Sequence, residues 1–170
     1  IAAMKDNLTK YRIEYDTWFL ESTLHNNGEL KETLDIMREK GLTYEKDGAL
    51  WYKNKEVLGA RLLKEGKTPE EIERLELKDE VLIRTNGNPT YFAADIAYHR
   101  NKLQMRGFDR AIDVWGADHH GHVARMKGAL DAIGCNGDNL DVILMQLVRL
   151  TRDGEVVRMS KRTGKAITLV

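Results

Sequence analysis

Short apolar runs alternate with segments of helical periodicity through the second half of the chain. Apolar side chains recur at three- and four-residue spacing in the segment that holds Val123, Met126 and Leu130, as on one face of a helix. Alternation of strands and helices is typical of α/β folds with a parallel sheet. The predicted strands are Val81–Ile83 and Ala111–Trp115, both expected to be buried, and Asp141–Leu150. The predicted helices are Tyr91–Gln104 and His119–Ile133.

The first half has a different pattern, with a hairpin among charged helices. Asp47-Gly48 is a favoured two-residue turn between strand-like runs. Thr68-Pro69 has the residues of a helix start after a break at Gly66. The remaining predicted elements are a helix over Ile1–Lys10, a short strand over Tyr11–Tyr15, a short helix capped by Asp16, and helices near 28–40 and 56–77.

The pattern changes near Asp79, where the charged helical stretch gives way to the apolar run of the first predicted strand. We therefore expect a small α+β subdomain over residues 1–80 and an α/β unit over residues 81–170. The two parts also differ in charge, because residues 1–80 carry a net −4 and residues 81–170 a net +4. From Arg149 onward there are six basic and two acidic residues, and such a basic end suits phosphate ligands, although a solvated basic face explains the same bias.

Composition narrows the class of protein. The chain is 42% hydrophobic and 32% charged, as expected of a folded globular protein. No run approaches the roughly 20 apolar residues that a membrane span needs. The single cysteine, Cys135, excludes an internal disulfide and agrees with a reducing compartment.

The first candidate site lies on the predicted helix that begins near Tyr91. Tyr91, Asp95 and Tyr98 are spaced i, i+4 and i+7 and share one stripe of that helix. A carboxylate between two aromatic rings suits a cation, especially a planar guanidinium. The alternative is an ordinary amphipathic helix with tyrosines at the edge of the core.

The second candidate site, Gly116–His122, follows a predicted strand and opens a helix. Ligands of open α/β sheets bind at this edge, and Asp118 is placed to cap the helix. Three histidines suggest a metal, but His119 and His122 can share a helix face while His120 points elsewhere. A cap with surface histidines remains the alternative.

The third candidate site is the basic segment Ser160-Lys161-Arg162 beside Gly164. A hydroxyl, an ammonium and a guanidinium next to a glycine suit phosphate binding, because the backbone can approach the ligand closely. A solvated basic loop has the same composition.

These three segments, in this order, resemble arginyl-tRNA synthetases, a family of class I aminoacyl-tRNA synthetases. Pro89–His99 resembles the arginine-site helix of the family, and Asp113–His122 the segment at its shared amino-acid and ATP pocket. Met159–Gly164 resembles its form of the "KMSKS" signature. The resemblance implies that residues 81–170 form the second half of a Rossmann-type catalytic domain, and that residues 1–80 belong to its connective insertion.

The resemblance also implies a reaction. Arginine and ATP would give arginyl-adenylate and pyrophosphate, and the arginyl group would then pass to tRNA(Arg). The protein would be a cytoplasmic monomer without a membrane partner. Mg²⁺ would accompany the nucleotide, and no structural metal is expected. The implied residues are Tyr91, Asp95 and His119 for arginine, Gly116, Asp118, His122, Met159 and Lys161 for ATP, and Lys161, Ser160 and Arg162 for catalysis.

Two departures from the family pattern limit the implied function. Arg158 replaces the first lysine of the signature, which keeps the charge but changes the geometry. No HIGH-type motif is found, so we expect this segment alone not to activate arginine. The alternatives are a non-catalytic binding module derived from a synthetase and a metal phosphoesterase that uses Asp118-His119-His120.

Overall fold

A computed structural model describes residues 2–146 and 148–156, which leaves the basic segment Arg158–Gly164 outside the described residues. The chain forms two compact units, of which Leu20–Gln146 is one and Ile1–Phe19 with Leu147–Val170 is the other. In the described ranges no helix is long and apolar enough to cross a membrane.

The helices are α1 (Ala2–Lys10), α2 (Glu21–Asn26), α3 (Glu29–Glu39), α4 (Asn54–Lys64), α5 (Pro69–Arg74), α6 (Tyr91–Arg100) and α7 (His120–Ile133). The strands are β1 (Thr43–Lys46), β2 (Ala49–Tyr52), β3 (Glu80–Ile83), β4 (Ala111–Gly116), β5 (Leu140–Met145), β6 (Thr151–Arg152) and β7 (Glu155–Val156).

The parallel pair β4–β5 confirms the predicted α/β class. Ala111 is opposite Leu140 and Gly116 is opposite Met145, so both strands reach the same edge of the sheet. Strand β4 was predicted to be buried, but only one face is covered, since Ile112 and Val114 are 61% and 65% exposed. Successive side chains alternate between the two faces of a strand, so residues 113 and 115 lie on the other face.

Strand β3 is antiparallel to β2 and does not join the parallel pair. The order of this sheet is β1-β2-β3. The sheet that contains the hairpin of the first half therefore also includes residues beyond position 80. The hairpin turn is as predicted, because Asp47 and Gly48 both have positive φ (52° and 73°), as a type I′ turn requires. The division of the chain at residue 80 stays a prediction.

Local signals fix several of the helix ends. Thr68 and Glu71 form a reciprocal capping box at the start of α5. Helix α3 ends where Gly41 takes a φ of 68° and the Leu42 amide donates to the Met37 carbonyl. The predicted strand at Tyr11–Tyr15 is wrong, because a turn follows α1. The predicted cap at Asp16 is also wrong, because α2 begins later, after Leu20.

Helix α6 ends in a π turn. The predicted helix from Tyr91 continues as α-helix to Arg100, and Asn101–Met105 is π-helical. The Arg106 amide donates to the Asn101 carbonyl at 2.8 Å, five residues back, so this turn is one residue wider than an α-helical turn. π turns are frequent at functional sites.

The core of the 20–146 unit is made where α3, α6 and α7 pack against each other, with α4 against α7 and β3 against α6. Helix α6 directs Ala93, Ile96 and Ala97 into this core, each at most 1% exposed. The opposite stripe of α6 is therefore left to face a cavity. Other fully buried side chains are Leu24, Met37, Tyr52, Leu82, Met126, Leu130 and Leu140.

Candidate functional site

A cavity of about 490 Å³ lies between the outer stripe of α6, the end of β4 and the start of α7. Its volume is in the range of small-molecule sites. It opens at the carboxyl end of β4, the edge at which ligands bind in open α/β sheets. The residues that line it include Tyr91, Phe92, Asp95, Tyr98, His99, Lys102, Asp113, Trp115, Asp118, His119, His122 and Arg125.

The N-terminal cap of α6 fixes the direction of the helical stripe that was predicted to bind a cation. Thr90 Oγ1 accepts a hydrogen bond from the Ala93 amide at 3.4 Å and donates one to the Val81 carbonyl at 2.7 Å. These bonds hold the first turn of α6 to β3. Tyr91 and Asp95 consequently stand at the cavity, as the i, i+4 spacing predicts, and the Tyr91 residue is 77% exposed.

The carboxylate of Asp95 is only lightly engaged. Its side chain is 44% exposed, and Oδ2 lies 3.3 Å from Nε2 of His122. The His122 ring is held in place by Trp115 and Phe92, whose ring centroids are 5.2 Å and 5.5 Å away. An aromatic wall therefore positions an imidazole beside the carboxylate where a cationic ligand would bind.

Asp113, at the base of the cavity, is bonded far more tightly. His99 Nε2 lies 2.7 Å from Asp113 Oδ2, and Lys102 Nζ lies 2.7 Å from Oδ1. Burial opposes ionisation of Asp113, but the hydrogen bonds from His99 and Lys102 outweigh it and lower the pKa of the carboxyl to about 2. Lys102 also lies 4.5 Å from the ring centroid of Tyr98.

The polar side chains of the Gly116–His122 segment lie in two different places. Asp118 and His119 are exposed at the cavity, with 3.9 Å between carboxylate and imidazole. A Cβ at position 116 would lie 2.5 Å from Asp118 Oδ1, so glycine there leaves room for the carboxylate. His120 lines a separate depression beside α4 and β5, which agrees with the expected direction of its side chain.

Residue types that bind metals do not converge in the described part of the chain. Across residues 2–146 and 148–156, no group of three His, Cys, Asp or Glu side chains could hold a metal ion. Cys135 is buried, and burial raises the pKa of its thiol to about 11. The predicted residues Met159, Ser160, Lys161 and Arg162 lie outside the described residues.

Sequence reasoning overlooked the base of the cavity. No role was predicted for His99, Asp113 or Lys102, although two signals were available. His99 lies four residues after Asp95, and Lys102 four after Tyr98, so both continue along α6 near the predicted stripe. Asp113 is a charged residue inside an otherwise apolar strand, where a partner is required.

Curated relatives match the whole chain, whereas no family model matches it. An arginine–tRNA ligase of Ruminiclostridium cellulolyticum is 55% identical over all 170 residues. One from Caldanaerobacter subterraneus subsp. tengcongensis is 55% identical over 169 residues, or 99% of the chain. In both cases the chain spans only 27% of the length of the relative.

Two solved structures have a similar fold. One from Campylobacter jejuni, described as an arginyl-tRNA synthetase, covers 93% of this chain at 35% identity with a TM-score of 0.72, and the match spans 31% of that chain. The arginyl-tRNA synthetase of Thermus thermophilus covers 70% of this chain and 24% of its own, with a TM-score of 0.54. Its identity is 18%, so this second likeness concerns the fold alone.

Proposed function

Since this chain belongs to the arginine–tRNA ligase family as a segment of about a quarter of the length of its relatives, we propose that the protein containing it activates arginine with ATP and transfers it to tRNA(Arg). In this proposal residues 81–170 supply the second half of the catalytic domain and residues 1–80 its connective insertion. The protein is proposed to act as a monomer in the cytoplasm.

The observation that carries the proposal is the position and the light pairing of the Asp95 carboxylate. Its carboxylate stands at a cavity large enough for an amino acid, on one helical stripe with Tyr91, and has a single histidine at 3.3 Å. A guanidinium offers a fork of N–H donors that matches a carboxylate, and its flat face stacks on aromatic rings. Arginine therefore satisfies this end of the cavity better than a compact ammonium does.

The amino-acid end and the nucleotide end are assigned by position. We propose that Tyr91, Asp95 and His119 bind arginine. Gly116, the last residue of β4, and Asp118, just beyond it, are proposed to bind the nucleotide, where a glycine permits close approach of a ligand to the backbone. His122 was predicted to bind ATP, and its contact with Asp95 supports a place at the boundary between the two ligands.

The phosphate end is proposed from the sequence. Lys161, with Ser160 and Arg162, would stabilise the negative charge that grows on the departing pyrophosphate, and Met159 would pack near the nucleotide. We propose that Mg²⁺ accompanies the ATP phosphates, as it does in most nucleotide sites. These groups stabilise charge in the transition state, so they affect the rate of adenylate formation more than arginine binding.

Arginine-dependent exchange of pyrophosphate into ATP by the full-length protein, with tRNA(Arg) present, tests the proposal. We expect exchange with arginine and none with lysine. Lys161→Ala is expected to lower kcat about a hundredfold with little change in the KM for arginine. Asp95→Ala is expected to raise the KM for arginine strongly instead. Equal losses of the same kinetic constant in both variants would contradict this division of roles.

A matched control variant is Asp35→Ala. Asp35 is also a helical aspartate in ion pairs, with Lys31 and Arg38, and its side chain is 37% exposed. It lies on α3 and does not line the cavity. Asp35→Ala should therefore retain the kinetic constants of the wild-type protein for both arginine and ATP.

A further inference from the structure

We propose, on the basis of the proposed function, that His99 is a positioning residue of the arginine site, which as a doubly protonated imidazolium ties the helical turn carrying Asp95 to Asp113 on β4. His99 does not contact the ligand in this proposal. It acts by fixing where the Asp95 carboxylate stands relative to the aromatic wall at Trp115.

Both ring nitrogens of His99 face oxygen acceptors. Nδ1 lies 2.7 Å from the backbone carbonyl of Asp95, and Nε2 lies 2.7 Å from Oδ2 of Asp113. A carbonyl oxygen and an ionised carboxylate oxygen can accept hydrogen bonds but cannot donate them. Each ring nitrogen must therefore carry a proton and donate a hydrogen bond. A neutral ring would place a lone pair against an oxygen at one of these two contacts.

The surroundings of the ring support this protonation state. The His99 side chain is 3% exposed and that of Asp113 is 11% exposed, so little water competes for either hydrogen bond. Lys102 Nζ donates to the other carboxylate oxygen, Asp113 Oδ1, at 2.7 Å. Asp113 is thus an anion between two cations, and hydrogen bonds between charged partners are the stronger kind.

This bridge joins the two walls of the cavity. Its α6 end is the carbonyl of Asp95, the residue proposed to bind the guanidinium. Its β4 end is Asp113, which lies on the same face of the strand as Trp115, two residues further on. The Trp115 ring packs edge-on against His99, with centroids 6.3 Å apart, and against His122. Moving His99 would therefore move Asp95, Trp115 and His122 relative to one another.

An ion pair between the buried Arg100 of α6 and the exposed Glu32 of α3 offers a control that separates positioning of the site from general support of α6. Arg100 Nη2 lies 2.8 Å from Glu32 Oε1, and the Arg100 side chain is 8% exposed. This pair holds α6 on the side away from the cavity, and neither residue lines it. Glu32→Gln therefore loosens α6 without touching the proposed bridge.

The kinetic test compares His99→Gln with Glu32→Gln in the full-length protein by arginine-dependent pyrophosphate exchange with tRNA(Arg) present. We expect His99→Gln to raise the KM for arginine about tenfold, with the KM for ATP within about twofold, because one charge-assisted hydrogen bond is lost. Glu32→Gln should leave the KM for arginine unchanged. An unchanged KM for arginine in His99→Gln, or an equal rise in both variants, would overturn the inference.

The second test measures the ring directly. Ring ¹⁵N chemical shifts of the wild-type protein at neutral pH should show both His99 nitrogens protonated, and Asp113→Asn should leave the ring neutral. A neutral His99 in the wild type overturns the inference even if His99→Gln fails to fold. A wild-type protein without arginine-dependent exchange overturns the proposed function and this inference together, whereas normal exchange with a normal KM in His99→Gln overturns the inference alone.

Discussion

The two ends of the cavity along α6 differ in how completely their charges are paired. At the outer end, Asp95 is 44% exposed and has one histidine at 3.3 Å. At the base, Asp113 is 11% exposed and both its oxygens accept bonds of 2.7 Å. The same residue type is thus paired in two different ways within one cavity. Under the proposed function, the base maintains the geometry of the cavity and the outer end keeps a carboxylate available for a ligand.

The difference shows why the carboxylate buried more deeply is the poorer candidate for substrate binding. A carboxylate already held by two cations gains little from a third, and a ligand would have to displace one of them. A half-exposed carboxylate beside aromatic rings is accessible to a cation and gains from partial desolvation when the ligand covers it. Mutations at the two ends should therefore separate stability from substrate use.

The largest expected effect is the loss of stability in Asp113→Ala. His99 would lose the acceptor of one hydrogen bond, and Lys102, whose side chain is 16% exposed, would be left without its anionic partner, which should lower the free energy of unfolding by about 3 kcal/mol. Urea denaturation of the full-length protein, with Asp35→Ala as the exposed control, measures this effect. If the two variants unfolded at the same urea concentration, the base would not be the rigid end.

Asp95→Ala should show the opposite profile, with a large functional effect and a small structural one. We expect kcat/KM for arginine to fall about a hundredfold, because a charged partner of the guanidinium is removed. The urea midpoint should remain near that of the wild type, since the side chain is half exposed. A midpoint as low as that of Asp113→Ala would abolish the distinction between the two ends.

Acid should weaken the base of the cavity in a defined pH window. The folded-state pKa of Asp113 is about 2 and its ordinary value is 3.8, so its contribution to stability is complete above about pH 4 and is lost as the pH falls through 2. This shift corresponds to about 2 kcal/mol. Unfolding free energies of wild type and Asp113→Asn, measured from pH 6 to pH 2, should converge at low pH. Curves that stay parallel would contradict the assignment.

The smallest expected effect belongs to Tyr91→Ala. The Tyr91 residue is 77% exposed, so loss of its ring should not alter stability measurably. It should raise the KM for arginine about three- to fivefold, as expected for one exposed cation–π contact. Tyr91→Phe retains the aromatic face and should restore the wild-type KM. A defect shared by both variants would instead implicate the hydroxyl.

The outer end of the cavity could be predicted from sequence because it depends on local spacing. The i, i+4 relation of Tyr91 and Asp95 fixes their common stripe, and the cap at Thr90 fixes where that stripe begins. The base could not be predicted in this way. His99 and Asp113 are 14 residues apart in sequence, and their pairing depends on how α6 crosses β4.

Two errors in the fold have the same origin. The burial of β4 was inferred from its apolar residues, but Ile112 and Val114 lie on the uncovered face. The apolar run of β3 was assigned to the parallel sheet, but it pairs with β2. A short apolar run indicates a strand without indicating which neighbour it pairs with or how many of its faces are covered.

The π turn at Asn101–Met105 has a consequence for how this segment can change in evolution. It holds one residue more than an α-helical turn, so it corresponds to a one-residue insertion in a regular helix. Deleting one residue would tighten the turn and rotate the following chain by about 100° before it enters β4. Asp113 would then no longer arrive opposite His99. The length of Asn101–Met105 is therefore constrained in addition to the identity of Lys102, which bonds Asp113, and a substitution at the exposed Met105 should be tolerated where a deletion is not.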